Sequence, residues 1–253
     1  MSKFKSRYFY YRLTGDYALF TEPSTKGGGE RYSYSVPTQE ALRGITSKIY
    51  WKPTIQIVID EVKVINQIKR ETHGMRNLTN VFNTKPQGTD LARYTFLKDV
   101  EYLVKFHFEW NEGRLDLAHD RNAGKHMAMM ERSIERGGRI PIFLGISECR
   151  GYVESLTEDD YLNTQSIYDG VTIPFGLMFN RFYYGDDGEV ALETNTIMTT
   201  FADVTMVDGV INYESVEEVT RHIHKYQNQP NTPAEDLVSI DVEYETMIGT
   251  EVV

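Results

Sequence analysis

The chain has little cysteine and no long apolar run. Its 253 residues include one cysteine, Cys149, which excludes an intramolecular disulfide and a metal cluster held by several thiolates. No apolar segment approaches the roughly 18 residues that a membrane-spanning helix needs. The basic N-terminus, residues 1–7, leads into aromatic residues and not into the apolar core of a signal peptide. We therefore expect a cytoplasmic protein with no membrane partner.

Lysine and arginine are scarce in the second half of the chain. Residues 151–253 contain 3 of them against 20 Asp and Glu, a net charge of −17, whereas residues 1–150 contain 24 against 17, a net charge of +7. An acidic surface repels a phosphate backbone, so nucleic acid is expected on the first half. Acidic residues also keep a surface soluble, which explains the second half but not the abrupt end of the basic residues near Arg150.

Common catalytic motifs are missing as well. The chain has no Gly-x-x-x-x-Gly-Lys-Ser/Thr loop, no Gly-x-Ser-x-Gly elbow and no His-Glu-x-x-His pair. His222 and His224 are two residues apart and would not share a helix face. The acidic pairs at 159–160 and 186–187 lie among turn residues, which is typical of solvated loops. We expect neither a metal nor an organic cofactor.

Apolar periodicity predicts an α+β fold for the first half, in the order strand, helix, strand, strand, helix, strand. This order is that of a ferredoxin-like or RRM domain, in which both helices cover one face of an antiparallel sheet. The open face of such a sheet is a common site for single-stranded RNA. The predicted strands are 7–20, 54–65, 100–110 and 140–153, the helices begin after 36–38 and at 124–126, and 66–93 is a long loop.

The second half has a different pattern, with short strands that alternate with turn signals such as Asp208-Gly209. We predict two domains: residues 1–155 bind and cleave RNA, and residues 156–253 form a smaller, acidic, β-rich C-terminal domain. Within the second domain, 214–226 is interpreted as a helix and the tail from Gln227 as loosely structured.

The segment 120–126, Asp-Arg-Asn-Ala-Gly-Lys-His, places Lys125 and His126 at the N-terminus of the second predicted helix. Free backbone N–H groups and the helix dipole favour a phosphate at such a position. A histidine exchanges protons near neutral pH, and a lysine stabilises charge that develops on a phosphate. This combination suits cleavage of RNA without a metal, although most Lys-His pairs are solvated surface residues.

Other residues are predicted to bind RNA around this site. Residues 27–29 are three glycines flanked by Lys26 and Arg31, and their backbone N–H groups can approach a phosphate; a flexible hairpin tip is an equal alternative. Gly145 and Gly151 interrupt the last strand, which indicates a bulge or the close approach of another backbone. The remaining predicted RNA contacts are Arg43, Lys105, His107 and Arg121, of which Lys105 and His107 lie on the face of the 100–110 strand predicted to be exposed.

Six blocks of the first half occur in a recognisable order: 15–21, 34–45, 49–53, 107–109, 120–126 and 142–153. Together they resemble the CRISPR-associated Cas five family, Dvulg subtype. The resemblance implies an endoribonuclease of type I-C systems that cuts precursor CRISPR RNA in the repeat, beside a stem-loop, without a metal. It also implies that the protein stays on the 5′ handle in a surveillance complex with backbone and large subunits.

The resemblance also assigns a catalytic trio, which falls on Tyr50, Lys125 and His126. In the implied reaction the ribose 2′-OH attacks its own phosphate and leaves a 2′,3′-cyclic phosphate and a 5′-OH. His126 would transfer protons, Lys125 would stabilise charge, and Tyr50 would position the 2′-OH or the phosphate. Other branches of the family do not cleave RNA, so a non-catalytic RNA-binding scaffold subunit is the alternative. A metal-dependent nuclease is the third hypothesis.

Overall fold

The computed structural model describes residues 3–26, 30–77, 90–185, 192–193 and 195–225. These residues form a mixed α/β structure on one large, mainly antiparallel sheet. The helices are α1 (Gln39–Ile49), α2 (Ala123–Glu135) and α3 (Glu158–Asn163). The strands are β1 (Phe9–Ala18), β2 (Glu30–Tyr32), β3 (Ile55–Val64), β4 (Lys69–Asn77), β5 (Asp90–Trp110), β6 (Ile142–Phe143), β7 (Arg150–Ser155), β8 (Thr172–Tyr184), β9 (Thr196–Val207), β10 (Val210–Asn212) and β11 (Glu218–Lys225).

Four strands of the first half lie side by side in the order β7-β1-β5-β3, and each neighbouring pair is antiparallel. The segment containing α1 connects β1 to β3, and the segment containing α2 connects β5 to β7. Each connection therefore passes one intervening strand. The two helices predicted in the first half and the predicted strands 7–20 and 54–65 are confirmed within a few residues of their expected bounds, and the predicted strand 100–110 is the C-terminal part of β5.

The two long helices begin where their capping residues predict. The Thr38 hydroxyl accepts a hydrogen bond from the Ala41 N–H at 3.2 Å, and Glu40 stands in the first turn of α1. The Asn122 side chain accepts from the Lys125 N–H at 3.0 Å and caps α2. Beyond the end of α2, Gly137 adopts φ 76°, which stops a helix readily because glycine has no Cβ.

The core lies between the helices and the sheet. Leu42 and Ile49 of α1 are fully buried, as are Tyr11 of β1 and Phe106 of β5. Burying each such side chain contributes about 1.5–3 kcal/mol. The Tyr11 hydroxyl lies 2.8 Å from Thr46 Oγ1, so even the polar atoms in this layer are hydrogen-bonded.

The opposite face of the sheet is covered more fully than the alternation over 100–110 predicts. Tyr161 of α3 packs against Tyr10 and the buried Leu103, and His107 is only 2% exposed. The predicted exposure of His107 is therefore wrong, because α3 and the N-terminal segment, both distant in sequence, cover this face. Lys105 remains partly exposed and pairs with Glu61 at 3.0 Å.

The prediction of one long loop over 66–93 is wrong in its described parts. Lys69–Asn77 is strand β4, which pairs antiparallel with the N-terminal part of β5. That part of β5 begins at Asp90, so the strand is about ten residues longer than its 100–110 pattern indicates. Most residues of β4 are polar. The strand is held in place by its hydrogen bonds to β5, so it does not need to bury both of its faces. Residues 78–89 lie outside the described part of the chain.

The predicted last strand, 140–153, is instead a tight hairpin of two short strands. Phe143 pairs with Arg150, and the Leu144 N–H donates to the Cys149 carbonyl at 2.7 Å. The close approach of another backbone at Gly145 is confirmed: a Cβ there would lie 2.0 Å from the Leu19 carbonyl oxygen. At Gly151 a Cβ would meet the Leu144 side chain instead.

The β-rich character of the second half is confirmed for residues up to 225. β9 pairs with β8, β10 and β11, and β10 pairs with β3, so these strands continue the sheet of the first half. The Asp208-Gly209 turn is confirmed, with φ of 52° and 74°. The division into two domains stays a prediction, and the predicted loose tail, from Gln227, lies outside the described residues.

The interpretation of 214–226 as a helix is wrong, because residues 218–225 form β11 along the edge of β9. Val216, Val219 and Ile223 are spaced like one face of a helix, but the unpaired edge of β9 offers a ladder of hydrogen bonds that only a strand can use. His222 and His224 are both exposed and share one face of this strand, so the helical argument against a histidine pair does not apply. No helix among the described residues is both long and apolar enough to cross a membrane.

Candidate active site

Tyr50 and His126 meet at the junction of α1 and α2. Tyr50 follows the last residue of α1 as its C-cap, and His126 lies in the first turn of α2. Although 76 residues separate them, the Tyr50 hydroxyl oxygen is 2.8 Å from His126 Nδ1. Lys125 is the neighbour of His126 on the helix and has an exposed side chain. The structure thus brings the three predicted residues together.

The hydrogen bonds of His126 determine which ring nitrogen carries the proton. Nε2 lies 2.9 Å from the Asp120 carbonyl oxygen, which can only accept a hydrogen bond, so Nε2 carries a hydrogen. In the neutral ring Nδ1 then accepts from the Tyr50 O–H. In the imidazolium form Nδ1 donates to the Tyr50 oxygen instead, so the pair can pass a proton without moving its heavy atoms.

Asp120 organises the cationic side of the site. Its carboxylate accepts hydrogen bonds from the Lys125 ammonium and, at 2.9 Å, from the Thr54 hydroxyl. These two bonds lower the pKa of Asp120 to about 2, the lysine bond having the larger effect. Its Oδ2 also lies 3.4 Å from His126 Nε2. The positive charge of Lys125 is therefore balanced by an ionised carboxylate.

Tyr50 and His126 are both fully buried. The Trp110 and Phe108 rings contact the imidazole with centroid distances of 5.7 and 6.3 Å, and the Arg139 guanidinium lies over the Tyr50 ring at 4.5 Å. Burial raises the pKa of Tyr50, an effect that the positive charge of Arg139 reduces. The tyrosine is therefore protonated near neutral pH, and it can take up a second proton only as it passes its own to a neighbour such as His126.

Tyr50 borders an open pocket that His126 does not reach. The pocket has a volume of about 320 Å³ and is lined by Ser47, Lys48, Tyr50, Trp51, Arg139 and Ile140. Tyr50 is part of the wall of this pocket although its side chain is fully buried. No role was predicted for Arg139 or Trp51 from the sequence; the one available signal was the Trp51-Lys52 pair, an aromatic residue next to a cation, just after the end of the first predicted helix.

The other predicted RNA contacts are dispersed over the structure. Lys26, Arg31 and Gly145 line one pocket of about 530 Å³ near the start of α1. Arg121 is next to the active site, where it pairs with Glu112 at 3.2 Å and donates to the Asn111 carbonyl. Arg43 pairs with Glu40 on its own helix.

Lys105 and His107 lie on the far face of the sheet, away from the Tyr50–His126 pair, and Gly151 faces the Leu144 side chain in the β6–β7 hairpin. The glycines at 27–29 are outside the described residues. The RNA-binding roles of all these residues stay predictions.

One further cluster has the chemistry of a metal site. Ligand atoms of Asp60, His107 and Glu214 lie within 4.8 Å of one another, and His107 Nδ1 is 2.8 Å from Asp60. The Lys5 ammonium contacts the same group, 3.0 Å from Glu214 and 3.8 Å from Asp60. Burial raises the pKa of Asp60. No spacing in the sequence predicts this cluster, because its members come from β3, β5 and the segment after β10.

Comparison with known proteins identifies the family to which the chain belongs. A model of the CRISPR-associated Cas5 proteins, of the Cas5d type, matches residues 9–214. Since this match covers most of the chain, the protein belongs to the Cas5d family of CRISPR-associated proteins. The resemblance seen in the six sequence blocks is thereby confirmed.

Two curated relatives carry the name CRISPR pre-crRNA endoribonuclease Cas5d. The one from Mannheimia succiniciproducens is 35% identical over 143 residues, which is 49% of this chain and 61% of that protein. The one from Thermus thermophilus is 35% identical over 99 residues, which is 37% of this chain and 42% of that protein. The matched region thus spans less than two thirds of either relative.

Two solved structures share the fold over most of the chain. A crystal structure of a CRISPR-associated protein superposes with a TM-score of 0.72 at 40% identity and covers 88% of this chain and 100% of its own. Protein SMU1763c from Streptococcus mutans superposes with a TM-score of 0.70 at 43% identity and the same coverage.

Proposed function

We propose that this protein is a metal-independent endoribonuclease that cleaves precursor CRISPR RNA in the repeat, beside a stem-loop. The observation that carries the proposal is the hydrogen bond between the Tyr50 hydroxyl and His126 Nδ1, with Lys125 beside it. The names of the two curated relatives support the substrate. The fold we infer is the ferredoxin-like RAMP fold, supported by the antiparallel order β7-β1-β5-β3 with two helical crossovers.

In the proposed reaction Tyr50 contacts the RNA and His126 stores the proton. The 2′-OH gives its proton to the Tyr50 oxygen while the Tyr50 proton passes to His126 Nδ1, and the 2′-oxygen forms a bond to phosphorus. The bond from phosphorus to the 5′-oxygen then breaks, and the proton returns from His126 through Tyr50 to that oxygen. The products are a 2′,3′-cyclic phosphate and a 5′-OH. In this relay the fully buried Tyr50, which is part of the pocket wall, must become accessible to the 2′-OH, whereas His126 need not contact the RNA.

Lys125 stabilises the charge on the phosphate in the transition state, together with the N–H groups at the start of α2. To do so it must exchange its bond to Asp120 for one to the phosphate. Asp120 then still accepts from Thr54 and remains close to His126 Nε2, where its charge stabilises the imidazolium.

We further propose that the product remains bound through its 5′ handle, as part of a type I-C surveillance complex with backbone and large subunits. The net charge of −17 on residues 151–253 supports different partners for the two halves of the chain. Because this charge repels RNA, the second half is better suited to a protein partner. The second candidate function is a non-catalytic RNA-binding scaffold in the same complex. The burial of both Tyr50 and His126 favours it, since neither side chain is exposed to RNA in this geometry.

The deciding experiment is single-turnover cleavage of a hairpin-containing repeat RNA in EDTA, with binding measured in parallel. We expect wild type to cut once and leave a cyclic phosphate. His126→Ala and Tyr50→Phe should bind within about twofold of wild type but cleave about 10²–10⁴-fold more slowly, the usual range for loss of acid–base catalysis. His119→Ala is the matched control, because His119 is exposed on the turn before α2.

Since His126 is buried, thermal unfolding of each variant must show that it is folded at the assay temperature. Tyr50→Phe keeps the ring in the core and is the safer variant. If wild type binds the repeat tightly and never cuts it, the scaffold function replaces the nuclease. Activity that EDTA abolishes and Mg²⁺ restores would refute metal independence.

A further inference from the structure

A groove runs along the exposed side of α1, from Tyr50 to the β8–β9 hairpin. It consists of three pockets of about 320, 310 and 530 Å³. Lys48 lines both the first and the second pocket, and Glu40, Ala41 and Gly145 line both the second and the third. Because neighbouring pockets share lining residues, they form one continuous surface, about 16 Å long over α1 alone.

Aromatic rings follow this groove. Trp51 is 52% exposed at the Tyr50 end, and Phe143 is 41% exposed in the middle. At the far end Phe179 and Phe182 lie with ring centroids 4.6 Å apart and line the third pocket. Exposed rings of this kind are platforms on which bases of a single strand stack, whatever their sequence.

Cations occur at both ends of the groove. Lys48 and Arg139 line the first pocket, next to Tyr50, while Lys26 and Arg31 line the third. The carboxylate that the second and third pockets share, Glu40, is paired with Arg43 at 2.7 Å. The groove therefore combines stacking surfaces with a positive balance of charge, which fits a polyanion with exposed bases.

We propose that this groove binds the single-stranded RNA segment that adjoins the scissile phosphate, with bases on Trp51 and Phe143 and phosphates on Lys48 and Arg139. The inference rests on the proposed function, because Tyr50 marks where the phosphate lies. It differs from the binding mode predicted from the sequence, in which RNA lies on the open face of the sheet. That face carries Glu61, Glu101 and α3, whereas the groove is continuous with Tyr50.

The test is equilibrium binding of a repeat RNA that carries a 2′-deoxy substitution at the mapped cut nucleotide, so that no variant can cleave it. Trp51→Ala and Phe143→Ala should each weaken binding about tenfold, the typical loss when one stacking partner is removed. Tyr152→Ala is the matched control: Tyr152 is 55% exposed on β7, and its buried neighbours Gly151 and Val153 place it on the opposite face of the sheet. It should bind within about twofold of wild type.

A second arm removes the single-stranded nucleotides on either side of the cut. Shortening the RNA should weaken its binding to wild type as much as the groove substitutions weaken binding of the full-length RNA. Trp51→Ala should then bind the shortened RNA as tightly as wild type does. Suppose that wild type cleaves the repeat. The groove assignment is then overturned if Trp51→Ala and Phe143→Ala bind the repeat normally, or if Tyr152→Ala weakens binding as much as they do. In either case the proposed nuclease activity stands. If wild type neither binds nor cuts the repeat, both proposals fail. Competition by an unrelated acidic peptide but not by single-stranded RNA would also overturn the assignment.

Discussion

Asp120 holds the side chains of the candidate active site in their observed arrangement. It accepts from Lys125 and Thr54, and it contacts His126 through both its carbonyl and its carboxylate. The Asp120 carboxylate orients the Lys125 ammonium, and it also competes with a phosphate for that ammonium. The bond to Asp120 holds Lys125 near the start of α2, so its ammonium is already in place for the exchange of partners that the proposed reaction requires.

The lowered pKa of Asp120 predicts a pH-dependent contribution to stability. A carboxyl group whose folded pKa lies below its unfolded value stabilises the protein above the unfolded value, and the contribution is lost as the pH falls through the folded value. For Asp120 that window runs from its ordinary value of 3.8 down to about 2. The gap in Tm between wild type and Asp120→Asn should therefore be larger at pH 7 than at pH 3, as measured by circular dichroism.

Asp16→Asn provides the control for this measurement, because Asp16 is an exposed residue of β1. The difference in Tm between Asp16→Asn and wild type should be small at both pH values. A gap for Asp120→Asn that does not change between pH 7 and pH 3 would show that the carboxylate charge contributes nothing to folding.

Among the elements, the β6–β7 hairpin depends most on a single backbone position. Gly145 adopts φ 98°, and the Leu19 N–H donates to the Leu144 carbonyl at 2.9 Å. This contact joins the hairpin to the end of β1 and closes the middle of the α1 groove. A side chain at 145 would therefore both strain the backbone and separate the two segments.

Gly145→Ala should lower the free energy of unfolding by about 3 kcal/mol, because the new Cβ would meet the Leu19 carbonyl and the backbone would be strained. The matched control is Gly44→Ala in α1, where a Cβ meets no atom within 4 Å. That change should stabilise the protein by about 0.5–1 kcal/mol, since glycine disfavours a helix interior. Urea unfolding measures both, and equal stability of the two variants would contradict the assignment.

At the scale of the whole molecule, the two halves share one sheet. β10 lies against β3, and Ile211 of β10 is fully buried in the core that the first half builds. The two halves nevertheless differ in net charge by 24, from +7 to −17. One network of hydrogen bonds thus joins the two halves, while their charges differ in sign, which fits the proposal that RNA binds the first half and a protein partner the second.

This shared sheet predicts cooperative unfolding. Both tryptophans, Trp51 and Trp110, lie in the first half, whereas Ile211 lies in the second. Ile211→Ala should lower the stability reported by tryptophan fluorescence in urea by about 3 kcal/mol, as expected for a large-to-small change in a core. Ile223→Ala, which removes a side chain that is 60% exposed on β11, should change it by less than about 0.5 kcal/mol. An unchanged fluorescence midpoint for Ile211→Ala would indicate that residues 156–253 unfold independently.

Local chemistry predicted a large part of this structure. The helix starts after 36–38 and at 124–126, the apolar face of α1 and the alternation along 100–110 depend on neighbours a few residues apart, so the sequence alone determined that these elements exist. The turn at Asp208-Gly209 followed from the same kind of signal. The resemblance to the family, carried by six ordered blocks, pointed to Tyr50, Lys125 and His126 before any distance was known.

Only the tertiary structure decided the rest. β4, the β6–β7 hairpin and β11 take their conformations from partner strands that are distant in sequence, and such pairing leaves little local signal. The burial of His107 and His126 likewise depends on which segments fold over them. The short distance between Tyr50 and His126 exists because the two helices that carry them meet at one end of the sheet. That meeting is a property of the packed core, and no spacing along the chain encodes it.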